Sequence, residues 1–299
     1  MPRAALSSGV EIEYETFGDP QDPTLLCVSG FTSQMLGWEL GLVELLADQG
    51  LHVVRFDNRD VGLSTKFDGQ PGEPMKVLDA ILNGQPLPPV AYTLSDMAAD
   101  GIGLLDHLGV DRAHIAGMSM GGMIVQTMAI EHPGRVASLI SVMSSPGDPR
   151  AGAPTREARA ALLAPPARDR AAALEQALDA RVWASKKYWD PERVQARIAA
   201  QFDRCSYPEG APRQLAAIYA SGDRGEALQW LDCPTLVIHG RDDTLIQPDG
   251  GELTAELIPG SRLLFVSDMG HDLPAPLWPM FAEAIGGHIR VAESRTAHA

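Results

Sequence analysis

Residues 113–133 read Ala-His-Ile-Ala-Gly-Met-Ser-Met-Gly-Gly-Met-Ile-Val-Gln-Thr-Met-Ala-Ile-Glu-His-Pro. The first six, Ala113 to Met118, form a short apolar run of the kind that fills a strand buried on both faces. From Met120 onward the pattern turns helical, and Pro133 stops it. Between strand and helix lies Gly117-Met118-Ser119-Met120-Gly121, followed by Gly122, which fits G-x-S-x-G. A strand that enters a helix with no room for a loop forces the central residue into a strained backbone conformation and demands small neighbours. The serine hydroxyl is then held above the sheet edge, beside the backbone N–H of the next residue. Ser119 is the candidate nucleophile on this reading.

A serine hydroxyl is a weak nucleophile at neutral pH and needs a base, which in turn needs a group to orient it. In enzymes with such an elbow the chain order is serine, then acid after a late strand, then histidine after the last one. Thr235 to His239 reads as a late strand and is followed by Gly240-Arg241-Asp242-Asp243-Thr244. Leu263 to Val266 reads as the last strand and is followed by Ser267-Asp268-Met269-Gly270-His271. Asp243 and His271 therefore stand where the acid and the base are required. Asp242 competes with Asp243, and Asp148, after the preceding strand, is a further candidate acid. Asp268 and Asp272 lie too near the base in sequence and read as loop or cap residues. His239 ends a strand and reads as structural, while His52, His107, His114 and His132 sit in or beside regular elements.

The same rhythm of short apolar runs and helical patterns extends along the chain and implies an α/β fold, a mostly parallel sheet flanked by helices. Strands are expected at Val10 to Thr16, Thr24 to Ser29, His52 to Phe56, Ala113 to Met118 and Val136 to Met143, besides the two late ones. Helices are expected at Leu40 to Leu46 and Leu94 to Leu108, the latter ending at Gly109. A closing helix around Leu277 to Ile289 leaves a polar tail, Ala292 to Ala299, that reads as frayed. Between Pro146 and Asp223 the rhythm breaks into Ala- and Arg-rich helical sequence without strands. The expected organisation is core 1–146, helical cap 147–223 and core 224–299. Trp183, Tyr188, Trp189, Phe202 and Tyr219 fall in the cap. They read mainly as its core, with some facing a pocket over the sheet edge, where ligands bind in open α/β folds.

Hydrolysis through serine needs two donors for the developing oxyanion. The Met120 amide is one. The loop Ser29-Gly30-Phe31-Thr32 after the first buried strand supplies the other, best placed on Phe31. Asp57-Asn58-Arg59-Asp60-Val61-Gly62-Leu63-Ser64 follows the next strand and reads as a loop braced by side-chain hydrogen bonds and an ion pair.

The 299 residues are 45% hydrophobic and 21% charged, enough for a sizeable core in one main unit. A formal net charge of −15 disfavours nucleic acid and anionic membrane surfaces as partners. Cys27, Cys205 and Cys233 are odd in number, scattered, and without metal or redox spacing. No basic segment followed by an apolar stretch opens the chain, and no apolar run approaches a membrane span. The expectation is a cytoplasmic enzyme acting on a small-molecule ester as monomer or homodimer, with neither metal nor cofactor.

Taken together, SGF, DNRDVGLST, GMSMGG, GRDD and MGH resemble the α/β-hydrolase superfamily over nearly the whole chain. Within it, GLHVVRFDNRDVGLST and the helical insertion are most similar to the aclacinomycin methylesterases and related bacterial carboxylesterases. The resemblance implies hydrolysis of a carboxylic ester through an acyl-enzyme, with nucleophile, acid and base on Ser119, Asp243 and His271. Perhydrolases (cofactor-free haloperoxidases), lactonases and C–C bond hydrolases use the same constellation and remain alternatives, as does a non-catalytic ligand-binding member of the fold. Met118 and Met120 also occur around the nucleophile in relatives that cleave C–C bonds, so the elbow leaves the reaction open.

Overall fold

The computed structural model describes residues 2–296. Eight strands build one sheet: β1 (Arg3–Ala5), β2 (Glu11–Phe17), β3 (Thr24–Val28), β4 (His52–Phe56), β5 (Ala113–Met118), β6 (Val136–Val142), β7 (Thr235–Gly240) and β8 (Arg262–Val266). Their order is β1-β2-β4-β3-β5-β6-β7-β8. The β1–β2 and β2–β4 pairs are antiparallel and the others parallel. Strands β3, β4, β6 and β7 are buried at every residue, which is why they appear in the sequence as mostly apolar runs rather than alternations.

Eleven helices accompany the sheet among the described residues: α1 (Leu40–Ala47), α2 (Pro74–Leu82), α3 (Leu94–His107), α4 (Met120–Glu131), α5 (Arg156–Leu162), α6 (Arg170–Gln176), α7 (Pro191–Arg204), α8 (Ala211–Ser221), α9 (Gly225–Leu228), α10 (Pro248–Leu257) and α11 (Trp278–Thr296). The period-two geometry of β3 divides the core. Leu26 and Val28 point into a cluster with Leu94, Met97, Ile124 and Met128 of α3 and α4. Leu25 and Cys27 point the other way, to Leu42 and Leu46 of α1 and Phe281 and Ile285 of α11. Each face of the sheet thus buries its own helical layer. Helix α3 starts at a capping box, Thr93 with Asp96, and stops before Gly109 at φ +69°.

Strand and helix expectations agree with these bounds to within a few residues, and 147–223 holds α5 to α8 without a strand. The differences are local. Strand β1, a three-residue edge, and helices α2, α9 and α10 have no counterpart in the sequence reading. The closing helix does not fray at Ala292. It continues to Thr296 because Ala292 is buried and Glu293 meets His114 at 3.2 Å. Ala297 to Ala299, the rest of the expected tail, lie outside the described residues.

Candidate active site

Every parallel strand delivers its C-terminal end to one edge of the sheet, and the chemistry-bearing loops gather there. Ser119 joins β5 directly to α4 at φ 57°, ψ −121°, a conformation that non-glycine residues rarely adopt. Its amide donates to Val142 O at 2.9 Å and Ser144 Oγ donates to Ser119 O at 2.8 Å, so β6 and the loop after it hold the strained residue in place. The turn closes this tightly only with glycines beside it. A Cβ on Gly117 would lie 2.1 Å from Gly121 O, and one on Gly121 would lie 2.2 Å from Val28 O.

Asp243 and His271 meet Ser119 at the same point. His271 Nε2 lies 3.0 Å from Ser119 Oγ, and its Nδ1 lies 2.7 Å from Asp243 Oδ2. Asp243 is 2% exposed. Its Oδ1 accepts from the Leu245 and Ile246 amides at 2.8 and 3.0 Å. Burial pushes its pKa up, yet the His271 charge and hydrogen bonds from His239 and His271 outweigh that and hold the carboxyl below its ordinary value. With the carboxylate on Nδ1, the proton sits on that nitrogen and leaves Nε2 free to accept from the serine hydroxyl.

The rival carboxylates are engaged elsewhere. Asp242 is exposed. Asp148 pairs with Arg150 at 2.5 Å and Asp268 with Lys187 at 2.8 Å. Asp272 accepts from Ser185 N at 2.9 Å and from Ser185 Oγ. His239 does more than end a strand: its Nε2 donates to Ile246 O at 2.9 Å and lies 3.4 Å from Asp243 Oδ2. Its Nδ1 is buried without a partner among the described residues.

The inserted helices reach the base from above. His271 N donates to Trp183 O at 2.7 Å and Gly270 N to Ser185 Oγ at 2.9 Å, while Thr244 Oγ1 donates to Val182 O at 2.9 Å. A Cβ on Gly270 would lie 2.2 Å from Trp183 O, so glycine permits this close approach. Sequence reasoning missed the role of Ser185. Gly270, one residue before the candidate base, was the only local hint. Trp183, Tyr188, Trp189, Phe202 and Tyr219 are all half-buried, and none belongs to either core cluster of the sheet.

The expected oxyanion donors border the serine. Met120 is the first residue of α4, where amides have no intrahelical acceptor. Gly30 packs against the elbow, since a Cβ there would lie 3.2 Å from Ser119 Cβ, and Phe31 follows it. Asn58 Nδ2 donates to Ser29 O at 2.9 Å. The rest of that loop is a set of braces. Asp57 accepts from the Met35 and Leu63 amides, both at 2.8 Å, and pairs with Arg204 at 2.6 Å. Arg59 pairs with Asp100 and Arg213 with Asp60, at 2.6 and 2.7 Å.

A sequence model of the alpha/beta hydrolase fold matches residues 23–274, from β3 to just beyond His271. The chain belongs to this family. The hydrolase is 28% identical to rhodomycin D methylesterase DauP of Streptomyces sp. (strain C5), over 93% of this chain and 94% of that one. It is equally identical to rhodomycin D methylesterase DnrP of Streptomyces peucetius, over 97% and 98%. Among solved structures, the enol-lactonase of Burkholderia xenovorans LB400 superposes with a TM-score of 0.74 at 24% identity, covering 97% of this hydrolase and all of that chain.

Proposed function

We propose that this hydrolase is a cytoplasmic serine carboxylesterase that cleaves small to medium hydrophobic carboxylic esters through an acyl-enzyme. The observation that carries the reading is the pair of contacts made by His271, 3.0 Å to Ser119 Oγ on one nitrogen and 2.7 Å to Asp243 Oδ2 on the other. The similarity to two methylesterases supports esters as the substrate class and makes methyl esters of hydrophobic acids the first to test. The enzyme works without metal or cofactor on a small molecule, as monomer or homodimer, with no nucleic-acid or membrane partner.

In the acylation step Ser119 Oγ attacks the ester carbonyl as its proton passes to His271 Nε2. The carbonyl π pair moves onto oxygen, where the Phe31 and Met120 amides stabilise the oxyanion. Asp243 holds the tautomer and stabilises the imidazolium. When the carbonyl re-forms, the C–O bond to the alcohol breaks and His271 returns the proton to the departing oxygen. Water then repeats the sequence on the acyl-enzyme, releasing the acid and restoring Ser119. A chain-length series of p-nitrophenyl esters, extended to methyl esters of ring-bearing acids, tests the reading. Turnover that ends when a phosphonate occupies Ser119 supports it. Labelling of Ser119 with no ester turnover, alongside activity on lactones, vinylogous diketones or acetate plus peroxide, would contradict the ester assignment.

A further inference from the structure

The loop after β3 carries a backbone conformation that its own sequence does not favour. Ser33 N donates to Gly30 O at 3.1 Å, closing a turn over 30–33. Thr32 takes φ 56° in it, while Phe31 is not among the residues with positive φ. That combination marks a type II turn, whose third position calls for glycine or asparagine. A β-branched side chain is strained there. What holds Thr32 in place comes from 182 residues away in sequence. Gln214 Oε1, on α8, accepts from Thr32 N at 2.9 Å, and Gln214 Nε2 donates to Arg59 O at 2.9 Å. The Gln214 side chain is completely buried, so its two ends are committed to these two partners. The preceding residue in the chain anchors the helix: Arg213 grips Asp60 through two contacts of 2.7 and 2.9 Å.

The Thr32 amide belongs to the peptide unit whose facing separates type II from type I turns. Without the Gln214 anchor the strained turn can relax through ψ of Phe31 and φ of Thr32, and the loop that seats Phe31 beside Ser119 loses its tie to α8. We propose that Gln214 is a positioning residue for the oxyanion site: from the inserted helices, it holds the strained turn that aims the Phe31 amide. The proposal rests on the esterase mechanism above and makes catalysis depend on how α8 is seated.

The test compares wild type with Gln214→Met, close in size but with neither acceptor nor amide donor, and with Gln214→Met carrying Thr32→Gly. Kinetics on p-nitrophenyl esters are read beside the affinity of a trifluoromethyl ketone, which adds Ser119 Oγ to form a tetrahedral oxyanion. Loss of an aimed donor is expected to lower kcat by about tenfold to a hundredfold with KM nearly unchanged, and to weaken the ketone by a similar factor. Glycine adopts positive φ without strain, so Thr32→Gly in the Gln214→Met background should recover part of the lost kcat. A folded Gln214→Met with wild-type kcat and ketone affinity overturns the proposal, as does a loss that Thr32→Gly leaves untouched. Gln214→Asn, too short to reach both partners, is read the same way if Gln214→Met does not fold. Wild-type protein that fails to turn over esters overturns the esterase mechanism itself, a result separable from any difference among the Gln214 variants.

Discussion

Asp243 shows how much of the site depends on single atoms. Its Oδ1 is taken by the Leu245 and Ile246 amides, and its Oδ2 faces His271. Asp243→Asn keeps a carbonyl oxygen for those two amides but turns an NH2 group toward Nδ1, which fixes the wrong tautomer. The chain should fold normally while kcat falls roughly ten-thousand-fold; a folded variant within tenfold of wild type would contradict the assigned role. Gly121→Ala tests the elbow in the opposite sense. The new Cβ would sit 2.2 Å from Val28 O, on a strand with no room to move. Overpacking of this kind should destabilise the fold by about 3 kcal/mol or more, seen as a shifted urea midpoint or loss of soluble protein. Ser119, Asp243 and His271 were legible in the sequence because Ser119 follows β5 directly, Asp243 and His271 lie in the loops that leave β7 and β8, and strand ends lie on one edge of a parallel sheet. His239 was not. Its approach to Asp243 depends on how Ile246 and Gly251 pack around it, and no local pattern encodes that.

At the scale of elements, the inserted helices act as a second wall of the site. The 182–185 segment holds the base loop through His271 N, Gly270 N and Asp272, and the acid loop through Thr244. Ser185 is central to this clamp and fully buried. Ser185→Ala strands the Gly270 amide and one Asp272 contact, so stability should fall by about 1 to 3 kcal/mol. Because the loop that loosens carries His271, kcat should fall as well. Urea unfolding and ester kinetics on the same preparation separate the two effects, and a stability loss with unchanged kcat would refute a link from this clamp to the base. Strands β3 to β7 were legible because burial on both faces leaves short, mostly apolar runs. Strand β1 has three residues, and α10 opens with Pro248-Asp249-Gly250-Gly251, which local rules read as a turn. Contacts such as Gln214 with Thr32 or Ser185 with Asp272 join segments far apart in sequence, and only the assembled fold brings them together.

For the molecule as a whole, two buried histidines tie stability to pH on the acid side. Burial lowers the pKa of His114 and of His288 from 6.5 to about 4, with Arg112 adding to the effect at His114. His114 also faces Ser138 and the half-exposed Glu293. Since the folded-state values are depressed, the unfolded chain takes up these protons first. Their stabilising contribution is therefore complete above about pH 6.5 and is lost as pH falls from there toward about 4. The thermal midpoint should drop across that window, and His288→Leu, which cannot take a proton, should flatten the drop; an unchanged slope would contradict this origin. The proposed chemistry resides in one oxygen atom, Ser119 Oγ, which active-site titration can address. Purified wild type and Ser119→Ala would be treated with a fluorophosphonate, the adduct located by peptide mass, and ester turnover followed as labelling proceeds. One phosphonyl group per chain is expected, on Ser119, with turnover falling in step with labelling. Ser119→Ala is expected to fold, to take no label and to lose about six orders of magnitude in kcat. Turnover that persists in fully labelled protein, or in Ser119→Ala, would contradict it.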